Sequence, residues 1–170
     1  MKHVLMVIAP AVFRDEEYEC PKTVLEGRGA GVITASRGVG PCMGKLGMVA
    51  EATVALADAH AEDYDAIVFV GGGGAETYFD DPVAHALARD AHDAGRVLGA
   101  ICIGPSILAR AGLLRGVRAT AFPSQKGNLI AHGAQWSDSP VEVDGPIITA
   151  NGPEAARAFG FTIADTLGLP

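Results

Sequence analysis

Arg96-Val97-Leu98-Gly99-Ala100-Ile101-Cys102-Ile103-Gly104-Pro105-Ser106-Ile107-Leu108 is the stretch whose reading decides the fold. An apolar run that ends on a reactive side chain and passes at once through Gly-Pro into a helical pattern reads as strand, sharp turn and helix, the layout of a nucleophile elbow. Such a bend strains its central residue and needs small neighbours so that strand and helix can close together. Ala100 and Gly104, on either side of Cys102, supply them. A thiol at a helix mouth faces unpaired N–H groups and the positive end of the helix dipole, which predicts a lowered pKa. Cys102 is therefore the candidate nucleophile or oxidisable thiol. The alternative is a buried structural cysteine, since free Cys is among the most buried residue types; the flanking Gly-Pro puts the functional reading ahead.

Outward from the elbow, residues 66–70 (Ala-Ile-Val-Phe-Val) form a short continuous apolar run, as a central parallel strand requires, and they end in Gly71-Gly72-Gly73-Gly74. Residues 3–9 read as a first strand with a loop over 10–15, residues 16–28 as a helix with acidic residues at its start, and Val32-Ile33-Thr34-Ala35-Ser36 as a second strand. The glycine-rich stretch 37–47 reads as loop, 48–54 as a short strand or hairpin beside it, and 58–63 as a helical turn. Residues 82–94 predict an amphipathic helix with Val83, Ala86, Leu87 and Ala91 on one face. A helix over 104–111 follows the elbow, then a strand over 117–122, a helical turn over 126–132, a hairpin at Asp144-Gly145 between 141–143 and 147–150, and a last helix from Gly152-Pro153 to about Leu167. Alternating strands and helices predict an α/β fold with a mainly parallel sheet, as a single domain over 1–170.

In such sheets, sites form outside the carboxyl ends of the strands. The loops at 10–17, 71–74 and 102–104 all meet that description, and the glycines let N–H groups approach a ligand as an oxyanion hole does. A tight turn alone would need only one or two of them. The chain has 49% hydrophobic residues, 19% charged residues and a net charge of −7, with no basic stripe, which argues against a nucleic-acid partner. Cys20, Cys42 and Cys102 show neither disulfide nor zinc spacing, so a reduced, cytoplasmic setting without metal is expected. The apolar start is too short for a signal peptide, no stretch reaches membrane-span length, and Gly-x-Gly-x-x-Gly is absent, so neither a membrane partner nor a nicotinamide cofactor is expected.

Several motifs together resemble the ThiJ/PfpI superfamily, also called DJ-1/PfpI, and most of all its intracellular-protease branch. They are Phe13-Arg14-Asp15-Glu16-Glu17 followed by Pro21, Gly71-Gly72-Gly73, Ala100-Ile101-Cys102-Ile103-Gly104-Pro105, Ala111-Gly112-Leu113-Leu114-Arg115-Gly116, Gly133-Ala134-Gln135-Trp136 and Val143-Asp144-Gly145. The resemblance implies a flavodoxin-like (class I glutamine amidotransferase-like) three-layer sandwich, a nucleophilic Cys102, and Glu17 against its sulfur. It further implies oxyanion donors from the backbone of Gly72 or Gly73 and of Ile103, and a homodimer or larger homo-oligomer. Beside a thiolate, Glu17 is expected to keep its proton, since two adjacent anions are costly.

Two departures bear on activity. Ile103 stands where protease-like members have the histidine of Cys-His-Gly-Pro, and Phe122 in Thr120-Ala121-Phe122-Pro123 replaces the histidine of the Thr-x-His-Pro stretch. His132 is a candidate replacement base or an ordinary surface histidine, His85 and His92 read as exposed, and Arg14 and Tyr18 are candidates to line the crevice or simply to pack. The expected activity is a cysteine-dependent enzyme acting on a small reactive carbonyl or acyl compound, glyoxalase-like or deglycase-like, or a hydrolase. The alternative is a non-catalytic stress protein whose Cys102 oxidises to sulfinate; a peptidase is disfavoured by the missing histidines.

Overall fold

In the computed structural model, which describes residues 1–170, apolar side chains alternate along the central strands and so supply two cores, one on each face of a sheet. Strand β1 (His3–Val7) sends Val4 and Met6 to one face and Leu5 and Val7 to the other; the strand over Ala66–Phe69 divides Ala66 and Val68 from Ile67 and Phe69 in the same way. Both faces are therefore covered, as a parallel sheet requires.

In chain order the strands are β1, β2 (Ala11–Phe13), β3 (Gly31–Ser36), β4 (Gly40–Gly44), β5 (Val49–Ala52), β6 (Val54–Ala55), β7 (Ala66–Phe69), β8 (Val97–Ile101), β9 (Arg118–Ala119), β10 (Gln135–Trp136), β11 (Val141–Asp144) and β12 (Ile147–Ala150). The main sheet has the order β11-β12-β8-β7-β1-β3-β6 and is parallel except for the β11–β12 hairpin. Helices α1 (Asp15–Gly27) and α5 (Ala156–Thr166) cover one face through Leu25, Phe159 and Ile163. Helices α2 (Pro82–Asp93), α3 (Pro105–Arg110) and α4 (Lys126–Ala131) cover the other through Leu87, Ile107, Leu108 and Leu129. The result is the expected flavodoxin-like three-layer sandwich.

Three local expectations change. The segments 10–15 and 37–47, read as loops, contribute β2 and β4, which with β5 make a separate three-stranded sheet. It is fastened to the start of α1, where the Asp15 carboxylate accepts hydrogen bonds from the N–H groups of Leu46 (3.0 Å) and Met48 (2.9 Å). The strand expected over 117–122 is only β9, because Thr120 N–H turns to the Thr149 hydroxyl and Phe122 N–H to the Cys102 carbonyl. On α2 the buried face is Ala84, His85, Leu87, Ala88 and Ala91, so Val83 and Ala86 lie outside it. His85, expected to be exposed, is buried with Nε2 2.6 Å from the Phe79 carbonyl; His92 is exposed as expected.

Helices α1 and α5 pack closely because Gly160 faces Pro21: a Cβ at Gly160 would lie 2.9 Å from the Pro21 Cα and 3.2 Å from the Val24 Cβ. Gly160→Ala should therefore destabilise the fold by about 1–3 kcal/mol through overpacking, outweighing its gain in helix propensity. A urea titration reads this as a lower midpoint at unchanged slope; an equal or higher midpoint would show that the two helices separate freely.

Candidate active site

Strands β8, β7 and β1 are neighbours in the sheet, so the loops that leave their carboxyl ends meet at one place. Cys102 follows β8 directly and has φ of +63°, the left-handed conformation that costs a side chain about 1–2 kcal/mol. The surrounding backbone holds it there. Cys102 N–H donates to the Ala150 carbonyl at 2.9 Å, its own carbonyl accepts from Phe122 N–H at 2.8 Å, and Gly104 N–H closes the turn onto Ile101 at 2.9 Å. Gly104 is required by close approach, since a Cβ there would lie 2.7 Å from the Phe69 carbonyl oxygen.

Glu17 reaches the elbow from the first turn of α1 and has no exposed surface. It meets Cys102 over Gly71: a Cβ added to Gly71 would lie 2.5 Å from both the Cys102 Cβ and Glu17 Oε1. The Gly71 carbonyl accepts from Arg14 N–H at 3.0 Å, which clamps the start of α1 to the end of β7. Neither Glu17 oxygen has a hydrogen-bond partner of good geometry. Burial therefore dominates and pushes the Glu17 carboxyl up to about 7, against smaller downward pulls from Cys102, the Arg14 charge and the Gly71 N–H.

The expected low thiol pKa is not what this environment produces. Burial, and then the charge of Glu17, push Cys102 up to about 12, while the N–H groups of Gly72 and Ile103 pull it down. Helix α3 is only six residues long, too short for its dipole to reverse the balance. Sulfur and carboxyl thus form a coupled pair in which burial and mutual repulsion both oppose a second negative charge.

Of the expected donors, Gly72 and Ile103 face the sulfur, whereas Gly73 opens the 3-10 turn Gly73–Tyr78 and contributes nothing there. Arg14 presents its backbone to the site and pairs its guanidinium with Glu16 at 2.9 Å. Tyr18 does not line the crevice: it is buried, its hydroxyl 2.6 Å from that of Thr34 and its ring edge-on to Phe13. His132 ends α4 with Nδ1 2.8 Å from the Asn128 carbonyl and is not among the groups acting on the thiol. A surface depression of about 490 Å³ lies between α1 and the Val32–Thr34 and Met48–Thr53 segments, and neither Cys102 nor Glu17 lines it.

Two features carried no clear signal in the sequence. Gly71 joins the two reactive side chains but looked like one glycine among four. Val12 also has a left-handed φ, +59°, unusual for a β-branched residue, and it lies against the glycine loop with Cγ1 3.8 Å from where a Gly73 Cβ would be. No group of three or more His, Cys, Asp or Glu side chains is arranged to hold a metal ion, and no helix is long and apolar enough to cross a membrane.

Comparison with known proteins finds relatives along nearly the whole chain. The sequence model of the DJ-1/PfpI family matches residues 2–166. An uncharacterized protein of Methanocaldococcus jannaschii is 40% identical over 163 residues, 94% of this chain and 80% of its own length. A deglycase of Pyrococcus abyssi is 32% identical over 88% of this chain and 90% of its own. The crystal structure of a ThiJ/PfpI domain protein from Brachyspira murdochii superposes with a TM-score of 0.96 at 30% identity, covering 98% of this chain and 96% of that one.

Because the Glu17 carboxyl is raised from 4.5 to about 7 by folding, the unfolded chain loses this proton first as pH rises. Stability is therefore expected to fall by about 3 kcal/mol between the two values and then level off. Glu17→Gln should remove that slope and leave the protein more stable than wild type at pH 8. Urea unfolding at several pH values from 4 to 8 checks this; parallel curves for the two proteins would mean that Glu17 is charged in the fold.

Proposed function

This chain belongs to the DJ-1/PfpI family, and we propose that within it the chain is a cysteine-dependent enzyme for small reactive carbonyl compounds, glyoxalase-like or deglycase-like in its chemistry. The observation that carries the reading is the meeting of a thiol on a strained elbow with a fully buried carboxyl that titrates near neutrality. A proton carrier with a pKa near the working pH is suited to general acid–base catalysis.

With a 2-oxoaldehyde, Sγ of Cys102 attacks the aldehyde carbon. The S–C bond forms as the carbonyl electron pair moves onto oxygen, and the thiol proton reaches that oxygen through Glu17. The N–H groups of Gly72 and Ile103, already turned toward the sulfur, lie beside the developing oxyanion. Glu17 then moves a proton from the former aldehyde carbon to the neighbouring carbon while the hydroxyl proton on the former aldehyde oxygen passes to the former ketone oxygen, leaving a thioester of a 2-hydroxy acid. Water cleaves it and restores the thiol, so substrate plus one water gives the acid with no oxidant. Peptide cleavage asks for more, since the leaving amine must be protonated. Ile103 and Phe122 offer no proton, and His132 stands apart.

A second reading draws on the same lack of histidine. Cys102 then serves as a redox-responsive thiol, taken to sulfinate by two equivalents of peroxide, each giving one oxygen and leaving as water, with the product held by the Gly72 and Ile103 N–H groups and protonated Glu17.

The wild-type protein is expected to convert methylglyoxal to lactate, Cys102→Ser to lose all turnover, and Glu17→Gln to lose about 10²–10⁴-fold in rate. Turnover that survives in Cys102→Ser rejects the enzyme reading. Absence of turnover in wild type, with a gain of two oxygens at Cys102 by mass after mild peroxide, selects the redox reading instead.

A further inference from the structure

Phe122 is the most exposed Phe, Tyr or Trp side chain of this protein, with 43% of its surface open, and its main chain is bonded to that of Cys102. Its position is set by backbone bonds on both sides. Phe122 N–H donates to the Cys102 carbonyl at 2.8 Å, and its carbonyl accepts from Gln125 N–H at 2.8 Å. The Gln125 side chain in turn accepts at 2.6 Å from the hydroxyl of Ser106, which is fully buried on α3 behind the elbow. The loop carrying the ring is thus tied to the same turn that presents the sulfur. Opposite the ring, Gly152 leaves room for it: even a Cβ there would only touch Phe122 Cδ1, at 3.8 Å.

Between these segments lies a depression of about 310 Å³ lined by Phe122, Pro123, Asn151, Gly152, Pro153 and Glu154. It adjoins the elbow on two sides, through Phe122 on the Cys102 carbonyl and through Ala150, which precedes Asn151 and accepts from Cys102 N–H. Its walls are an aromatic face and two proline rings. Its polar groups are the neutral amide of Asn151 and, at the exposed rim, the Glu154 carboxylate, which repels an anion.

We infer that this depression receives the substituent of the carbonyl compound that reacts at Cys102, and that Phe122 makes the site favour uncharged aryl or bulky alkyl substituents over methyl or carboxylate ones. The inference rests on Cys102 being the reacting group, as proposed above, and not on turnover. Ring stacking on Phe122 adds to apolar burial, so an aryl group gains roughly tenfold over methyl.

The test is alkylation of Cys102 by phenacyl bromide and by bromoacetone, in which the S–C bond forms as C–Br breaks and the thiol proton and bromide pass to solvent. Rates are followed on the Cys102 peptide by mass, so that Cys20 and Cys42 do not contribute. The phenacyl-to-bromoacetone rate ratio is divided by that of glutathione. It is expected to be roughly tenfold in wild type, near one in Phe122→Ala, and retained in Phe122→Tyr. A normalised ratio of one in wild type, a ratio unchanged in Phe122→Ala, or no reaction of Cys102 with either reagent overturns the inference. Retention of the ratio in a protein that turns over no methylglyoxal upholds the pocket and rejects only the enzyme reading.

Discussion

Burying the Glu17 carboxyl against the Cys102 thiol is the interaction that sets the terms for the rest of the molecule. An unpaired carboxylate without exposed surface is expensive, and a thiolate beside it more so, which leaves the pair one charge to share. To bring the two together, the first turn of α1 and the ends of β7 and β8 must converge within the width of a glycine. The strand order places β8, β7 and β1 side by side, Gly71 keeps the middle strand's end free of a side chain, and the Arg14–Gly71 hydrogen bond fixes the height of α1 above it. Asp15 secures the same helix start from the other side. Burial works against its anion, but the N–H groups of Leu46 and Met48 outweigh that and hold its carboxyl below the usual range.

Much of this was legible in the residues. The apolar runs at 66–70 and 97–101 and the Gly-Pro after Cys102 carry their meaning locally, and so does the Asp-Gly of the β11–β12 hairpin. The small sheet was not legible, because β2 and β4 are short, β4 includes Gly and Pro, and the two pair across nearly thirty residues of intervening chain. His85 was misjudged because its ring is satisfied by the Phe79 carbonyl just before the helix, which helical spacing does not reveal. For Tyr18 the residues left lining and packing both open, and the partner that decides for packing, the Thr34 hydroxyl, comes from β3.

The thiol itself shows how two sound local arguments are ranked by a third. Helix-end geometry and N–H donors favour the anion, and both are present, but the helix is short and Cys102 keeps only 8% of its surface. Desolvation and the neighbouring carboxylate prevail. Reactivity at this centre therefore depends on where the shared proton resides rather than on a permanently ionised sulfur.

The reactive pair and the surrounding walls come from different parts of the chain. Cys102, Glu17 and Gly71 are held by the central strands, while Phe122 and residues 151–154 arrive from turns that follow β9 and β12. Main-chain hydrogen bonds link the two sets at Phe122 and Ala150, and such bonds are indifferent to the side chains that carry them. A lineage built on this frame can exchange its rim one residue at a time, trying new ligands without dismantling the centre, so its chemistry is inherited while its diet is free to drift.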